Sequence, residues 1–134
     1  MVDVVNQGKF GWNELLTPDV GAARAFYGDL LGWSYTEHRM PDGGIYVVAN
    51  LDGQPVAGLF AATGDKFKGV PPHWMGYVTV SDVDGLAGRT ASLGGKVLVP
   101  PTDRPAVGRF SVITDPTGAE IALMQWAPAP PPAA

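Results

Sequence analysis

Cysteine is absent from this chain of 134 residues, and so are a long apolar run and a basic cluster. Without cysteine the chain has no disulfide, thiolate metal site or cysteine nucleophile, although this absence does not identify the cellular compartment. No apolar stretch approaches the roughly 20 residues that a membrane-spanning helix needs. The net charge of −4, with no Lys/Arg cluster, argues against a nucleic-acid partner.

The start of the chain, MVDVVNQGKFGW, lacks the charged start and apolar centre of a signal peptide. We therefore expect a soluble, cytoplasmic protein with no membrane partner. The length suits one domain, which we place at residues 10–126 after an N-terminal segment, 1–9. The end of the chain, APAPPPAA (127–134), cannot build a core and is expected to be extended or disordered.

What the chain does contain is a pattern that occurs twice, 63 positions apart. The strand-like run WNELL (12–16) precedes a predicted helix over 19–32, and MGYVTV (75–80) precedes one over 82–95. In the first copy Thr17 is the predicted N-cap, with proline at the first helical position and glycine as C-cap. A repeat at a fixed offset predicts one supersecondary unit built twice.

Alternating side chains and turn signals add three strands after each helix. The predicted strands are 34–38, 45–51 and 56–61 in the first half, and 96–99, 109–114 and 120–126 in the second. A Gly- and Lys-rich connector, 63–72, separates module one (10–62) from module two (73–126). Each half has the order β-α-β-β-β, which predicts an α+β fold.

Two such modules, with AFYGDLLGW (25–33) in the first helix and ITDPTG (113–118) before the last strand, resemble the vicinal oxygen chelate (VOC) superfamily. That superfamily includes glyoxalase I, bleomycin-resistance proteins, fosfomycin-resistance enzymes and extradiol dioxygenases. The resemblance covers about residues 10–126. It implies two tandem βαβββ modules folded as half-open barrels, one cavity completed by two modules, and a homodimer.

The resemblance implies that, in metal-dependent members, ligands of His, Glu or Gln type come from the first and last strands of both modules. Matched by the helix and turn landmarks, the four positions are Trp12, Gly58, Met75 and Ala122. These residue types do not bind hard or borderline divalent cations, so we expect no metal and no other cofactor. Relocated ligands are the alternative, and the candidates with matching strand parity are His73, Glu14 and Glu120.

Strand alternation places mainly apolar and aromatic side chains on one face of the predicted sheets. The candidate ligand-binding residues are Trp12, Glu14, Phe60, Met75, Tyr77, Met124 and Trp126. Such a cleft suits a planar or hydrophobic ligand that a few polar groups orient. Simple packing is the alternative for each tryptophan, and an ordinary hydrogen-bonded or solvated carboxylate is the alternative for Glu14 and Glu120.

These observations favour a protein that binds a small hydrophobic or aromatic molecule between its modules without a metal. The second hypothesis is that the chain is an enzyme, and the sequence does not decide which residues would be catalytic. It would be a lyase or isomerase with Glu14 or Glu120 as general base, or a glyoxalase-like metalloenzyme with relocated ligands. The third hypothesis is a structural or regulatory interaction module, and only the proline-rich tail supports it.

Overall fold

A computed structural model of the chain describes residues 6–41 and 43–128. The chain divides into two compact units. The first unit is Trp12–Met75, and the second unit joins Gly76 and the residues after it to the residues up to Gly11. Most of the proline-rich tail that we expect to be disordered lies outside the described residues, as does most of the N-terminal segment.

The first unit is built on a four-stranded sheet and one helix. Its elements are β1 (Phe10–Thr17), α1 (Val20–Leu31), β2 (Ser34–Arg39), β3 (Ile45–Leu51) and β4 (Gln54–Ala61), followed by a 3-10 turn at Asp65–Phe67. The strand order is β2-β3-β4-β1. β4 runs parallel to β1, and the other neighbours are antiparallel. The first two residues of β1 belong to the second unit.

The second unit repeats this arrangement. Its elements are β5 (His73–Thr79), α2 (Val83–Thr90), a 3-10 turn (Ala91–Leu93), β6 (Lys96–Arg104), β7 (Gly108–Thr114) and β8 (Glu120–Trp126). The strand order is β5-β8-β7-β6, and β8 is again parallel to the first strand. The first three residues of β5 belong to the first unit. The predicted α+β class, with two βαβββ modules in tandem, is confirmed.

Aspartate begins both helices. The Asp19 carboxylate accepts a hydrogen bond from the Ala22 amide at 3.0 Å, and the Asp82 carboxylate accepts one from the Gly85 amide at 3.1 Å. The predicted N-cap at Thr17 is therefore wrong. The Thr17 hydroxyl accepts from the Asp19 amide at 3.2 Å instead, so it orders the turn before the helix. A carboxylate that meets the third helical amide stabilises the free N-H groups of the first turn.

The two helices end differently. Gly32 closes α1 in the left-handed conformation with φ of 75°, as the sequence predicts. α2 tightens into a 3-10 turn, and the left-handed residue there is Gly94, with φ of 94°, one position before the repeat would place it. Position 95 favours glycine for a steric reason, because a Cβ there would overlap the Thr114 carbonyl oxygen.

Each unit packs its helix against one face of its sheet. In the first unit the buried strand residues are Leu15, Val47, Ala49, Ala57 and Leu59, and α1 adds Val20, Ala23 and Tyr27. In the second unit Val80, Val83 and Leu123 are buried, with Val78, Leu86 and Ile113 packed against them. Leu59 is 0% exposed, and complete burial of a leucine is worth about 1.5–3 kcal/mol. The helix-covered faces therefore hold these two cores.

Across residues 6–41 and 43–128, neither helix is long and apolar enough to cross a membrane. The cytoplasmic location stays a prediction.

Candidate functional site

Strand alternation places the candidate residues of the first unit on the sheet face opposite α1. Leu15 and Leu59 belong to the core beneath the helix, so their neighbours along each strand point the other way. The Cα of Glu14 pairs with that of Gly58, and Leu16 pairs with Phe60. Trp12, Glu14 and Phe60 thus share one face, as the sequence predicts.

Gly58 marks the closest approach on this face. A Cβ built at position 58 would overlap the Tyr46 hydroxyl and would lie 3.0 Å from Trp12 Nε1. Trp12 Nε1 donates a hydrogen bond to the Tyr46 hydroxyl at 3.0 Å. A phenol and an indole therefore fill the space that a side chain at 58 would need, and Tyr46 lies on β3, which contributed no candidate from the sequence.

Glu14 is a buried carboxylate. Its side chain lies on the same face as Trp12, and the residue is 3% exposed. Buried carboxylates are rare unless they are paired or hydrogen-bonded. This burial separates Glu14 from Glu120, the other candidate base, which is exposed at the start of β8 in the second unit.

Phe60 and His73 each lie close to a residue of the segment that joins β4 to β5. The Phe60 ring is 6.0 Å from that of Phe67 in the 3-10 turn. The His73 ring Nδ1 lies 2.9 Å from the Pro71 carbonyl oxygen, while Nε2 is enclosed and has no hydrogen-bond partner among the described residues. His73 thus fastens the loop before β5. Met75, also in this unit, is 4% exposed.

In the second unit, the face opposite α2 is also apolar and aromatic. Tyr77 pairs in register with Ala122, and Thr79 pairs with Met124. Trp126 Nε1 donates a hydrogen bond to the Thr79 hydroxyl at 3.0 Å. A Cβ at Gly11 would lie 2.6 Å from that hydroxyl oxygen, so the backbone of residue 11 covers the Trp126–Thr79 pair closely.

Arg104 and Arg109 flank the turn between β6 and β7, and their side chains lie on opposite faces of the sheet. Phe110 pairs with Met124 in register, and the Arg104 guanidinium lies 4.7 Å from the Phe110 ring centroid. Arg109 points to the opposite face, where its Nε and Nη2 contact Asp84 of α2 at 2.8 and 2.9 Å. The hydrogen bonds from Arg109 lower the pKa of Asp84. The carboxylates of Asp84 and Asp103, which both accept hydrogen bonds from Arg109, raise the pKa of Arg109. Arg109 is therefore structural.

The residues at the four metal positions that the resemblance implies do not fit a metal. Trp12 offers an N-H donor with no lone pair, and it already binds Tyr46. Gly58 and Ala122 offer no side-chain donor atom, and the Met75 thioether suits only soft ions. Within the part of the chain that the structure describes, no three His, Cys, Asp or Glu side chains come together in a way that could hold a metal ion.

Sequence reasoning missed Tyr46 and Phe110. Glycine inside a strand often marks the close approach of another group, so Gly58 was the available signal for a neighbour such as Tyr46. Phe110 lies on β7, whose register against β8 decides which face it joins, and the sequence does not give that register.

The family model described as "Glyoxalase/Bleomycin resistance protein/Dioxygenase superfamily" matches residues 9–123. The chain is 41% identical over 120 residues to "Putative glyoxylase CFP32" of Mycobacterium tuberculosis, covering 89% of this chain and 46% of that protein. It is 33% identical over 127 residues to "Anthracycline biosynthesis protein DauV" of Streptomyces sp. (strain C5), covering 87% and 46%. The chain thus spans about half the length of these curated relatives.

Solved structures resemble the chain in fold. A methylmalonyl-CoA epimerase from Mycobacterium tuberculosis gives a TM-score of 0.61 at 20% identity, covering 96% of this chain and 94% of that one. A hypothetical protein, BH1468 from Bacillus halodurans, gives 0.69 at 9% identity, covering 93% and 99%. At these identities the likeness shows the fold alone.

Proposed function

The chain belongs to the glyoxalase/bleomycin resistance protein/dioxygenase superfamily, and from this premise we propose that it binds a small hydrophobic or aromatic molecule without the family's usual metal site. The surfaces that support the proposal are the two sheet faces opposite α1 and α2. Relatives named for glyoxylase and for anthracycline biosynthesis support a small organic ligand.

The observation that carries the proposal is that other side chains occupy the space beside Gly58. The Tyr46 hydroxyl and the Trp12 indole stand where a metal-ligating side chain at position 58 would project. These groups form a neutral hydrogen-bonded pair, which offers aromatic surface where a metal site would need an anionic or imidazole donor. Aromatic surface with a few placed polar groups is the usual lining of small-molecule sites.

The remaining side chains on these faces are consistent with the same ligand class. The first unit adds Phe60 and the carboxylate of Glu14, and the second unit adds Tyr77, Met124 and Trp126. Aromatic rings and methionine give broad apolar contact, and methionine adapts to different shapes. We therefore expect a planar or amphiphilic ligand that polar groups orient.

Fluorescence of the uncharged aromatic probe N-phenyl-1-naphthylamine tests the proposal directly. We expect saturable binding to the full chain, and at 100 times the dissociation constant the ligand should stabilise the protein by about 2.7 kcal/mol. Trp12→Phe should weaken binding at least tenfold. Trp33→Phe is the matched control, because Trp33 stacks on Tyr27 beside α1. A wide panel of planar and cationic compounds that leaves the melting temperature unchanged would overturn the proposal.

A second candidate function is a lyase or isomerase that moves a proton on a small organic substrate. The observation that favours it is the burial of Glu14, which is 3% exposed, because a positioned carboxylate can act as general base. Glu14→Gln should then abolish exchange of a substrate C-H proton with deuterated solvent, while probe binding persists. Elemental analysis of protein purified without chelators is the companion test, because stoichiometric Zn, Ni, Mn or Fe would overturn the metal-free assignment.

A further inference from the structure

Arg104 places a positive charge at one end of the aromatic face of the second unit. It pairs in register with Gly108, and Gly108 pairs with Trp126, so these three residues form one row across β6, β7 and β8. Phe110 and Met124 pair in the next row but one along β7 and β8. Because side chains two residues apart on a strand share a face, Arg104 lies on the same face as these aromatic side chains. This is the face opposite α2.

Glycine occupies the middle of the row that Arg104 begins. A Cβ at Gly108 would overlap the Gln125 carbonyl oxygen, and the φ of 153° at Gly108 lies in the region that favours glycine. Position 108 therefore needs to be without a side chain, which leaves a gap in the side-chain layer between Arg104 and Trp126. The Cα atoms of these two residues are two strand spacings apart, about 10 Å. We call this place the Gly108 gap, and its width suits one flat ring with a small substituent.

The side chains that border the Gly108 gap are held in place by contacts on its two sides. Trp126 Nε1 donates a hydrogen bond to the Thr79 hydroxyl at 3.0 Å, and Thr79 lies on β5, across β8 from the gap. The Arg104 guanidinium lies over the Phe110 ring, 4.7 Å from its centroid. The backbone of Arg104 is fixed as well, because its carbonyl oxygen accepts from the Val107 amide at 3.0 Å. Arg104, Phe110 and Trp126 are half-buried, so a ligand can reach each of them.

The other charged residues of β6, β7 and β8 on this face lie at its opposite end. Lys96 and Glu120 both pair in register with Thr114, which is six residues along β7 from Gly108, or about 20 Å. A charged group in the Gly108 gap would therefore meet the Arg104 guanidinium first among the charges of these three strands on this face. The net charge of −4 disfavours an anion at long range, but physiological salt screens charges beyond about 8 Å. The local charge thus favours an anionic group on the ligand.

We propose that Arg104 binds the carboxylate of an aromatic acid whose ring lies in the Gly108 gap beside Trp126. This inference rests on the proposed function and names the ligand class that the face opposite α2 takes. The guanidinium contacts Phe110 with its flat face, and its N-H donors lie in its own plane, where a carboxylate can accept two parallel hydrogen bonds. Backbone without a side chain lets a ring approach the sheet closely, and the indole adds aromatic contact. The site therefore prefers a carboxylate to a neutral amide of the same shape.

Isothermal titration calorimetry of the full chain with 2-naphthoate and its neutral amide, 2-naphthamide, tests this preference. The two compounds have nearly the same shape and differ in charge. We expect the wild type to bind 2-naphthoate about tenfold or more tightly than the amide, as a charge-assisted hydrogen bond implies. Arg104→Gln should reduce the ratio of the two dissociation constants to about one. Arg104→Lys should keep part of the preference, because lysine retains the charge and loses the paired donors.

Lys96→Gln is the matched control, because it removes one positive charge from the same face of β6 at the opposite end of the strand. It should leave the preference for 2-naphthoate unchanged, and all three variants should keep the circular dichroism spectrum of the wild type. If Arg104→Gln alters that spectrum, Arg104→Lys decides, and an undiminished preference there would overturn the proposal.

Two further results separate this inference from the proposed function. Equal affinity of the wild type for both compounds, or a preference that Lys96→Gln lowers as much as Arg104→Gln does, would overturn the role of Arg104 and leave the binding function standing. Failure of both compounds and of N-phenyl-1-naphthylamine to bind the wild type would overturn the inference and the proposed function together.

Discussion

Tyr46 places its hydroxyl where a side chain at Gly58 would have to stand. The two positions lie on neighbouring strands, β3 and β4, which pair antiparallel. The Tyr46 side chain therefore limits the size of the residue at position 58. A metal-ligating side chain at 58 would require that the Tyr46 ring leave its present position.

This relationship predicts coupled effects on stability. Gly58→Ala should lower the free energy of unfolding by about 1–3 kcal/mol, because overpacking displaces the tyrosine. In a Tyr46→Ala background the same substitution should cost much less, which gives a coupling energy of about 0.5–3 kcal/mol. Urea denaturation of the four proteins measures it. Strictly additive costs would show that Tyr46 is not the group that excludes a side chain at 58.

Two glycines in α2 should respond oppositely to alanine. At Gly88 a Cβ would meet no atom within 4 Å, so Gly88→Ala should stabilise the protein by about 0.5–1 kcal/mol through helix propensity. At Gly85 a Cβ would overlap the capping carboxylate of Asp82, so Gly85→Ala should give a net loss. Thermal and urea unfolding compare the pair, and an equal gain at both positions would contradict the tight cap.

The Trp126–Thr79 hydrogen bond should be measurable by itself. Thr79 is 5% exposed, and its hydroxyl accepts from Trp126 Nε1 at 3.0 Å. Thr79→Val should cost about 0.5–1.5 kcal/mol, since the shape stays similar while the indole N-H loses its acceptor. In a Trp126→Phe background the penalty should largely disappear. An undiminished penalty there would mean that the Thr79 hydroxyl contributes through another contact.

Acid stability should depend on Asp115. Hydrogen bonds from the Thr117 hydroxyl and amide and from the Ala119 amide lower the pKa of Asp115. A depressed pKa in the folded state stabilises the fold above the unfolded pKa of about 3.9, and this contribution disappears as the pH falls through the lower folded value. Asp115→Asn should therefore flatten the decline of the urea midpoint between about pH 4 and 2. A decline as steep as in the wild type would contradict this role.

The sequence predicted the parts of the fold that local chemistry determines. β3 and β8 have their predicted bounds because alternating apolar residues and clear turns delimit them. β6 extends from Val99, its predicted end, to Arg104, because irregularities between Val97 and Thr102 carry the proline pair through the strand. Two successive prolines cannot donate ladder hydrogen bonds, so the local pattern stopped at Val99.

The candidate site was predictable only in part. Strand alternation gave the common face of Trp12, Glu14 and Phe60, because period two is a property of the backbone. It could not give the burial of Glu14 or the exposure of Glu120, since both depend on how neighbouring elements cover the strand ends. To predict the place of Tyr46, one would need the register of β3 against β4, which depends on residues distant in the sequence.

The two compact units do not coincide with the two halves of the chain. The Gly8 amide donates to the Thr79 carbonyl, and the Thr79 amide donates to the Lys9 carbonyl, each at 2.8 Å, so residues before Trp12 complete the second unit. Cleavage in the 63–72 connector would therefore leave a C-terminal fragment with an unpaired strand edge. Such a fragment should need residues 6–11 supplied as a separate peptide, which makes the chain a candidate for fragment complementation rather than for division into two independent domains.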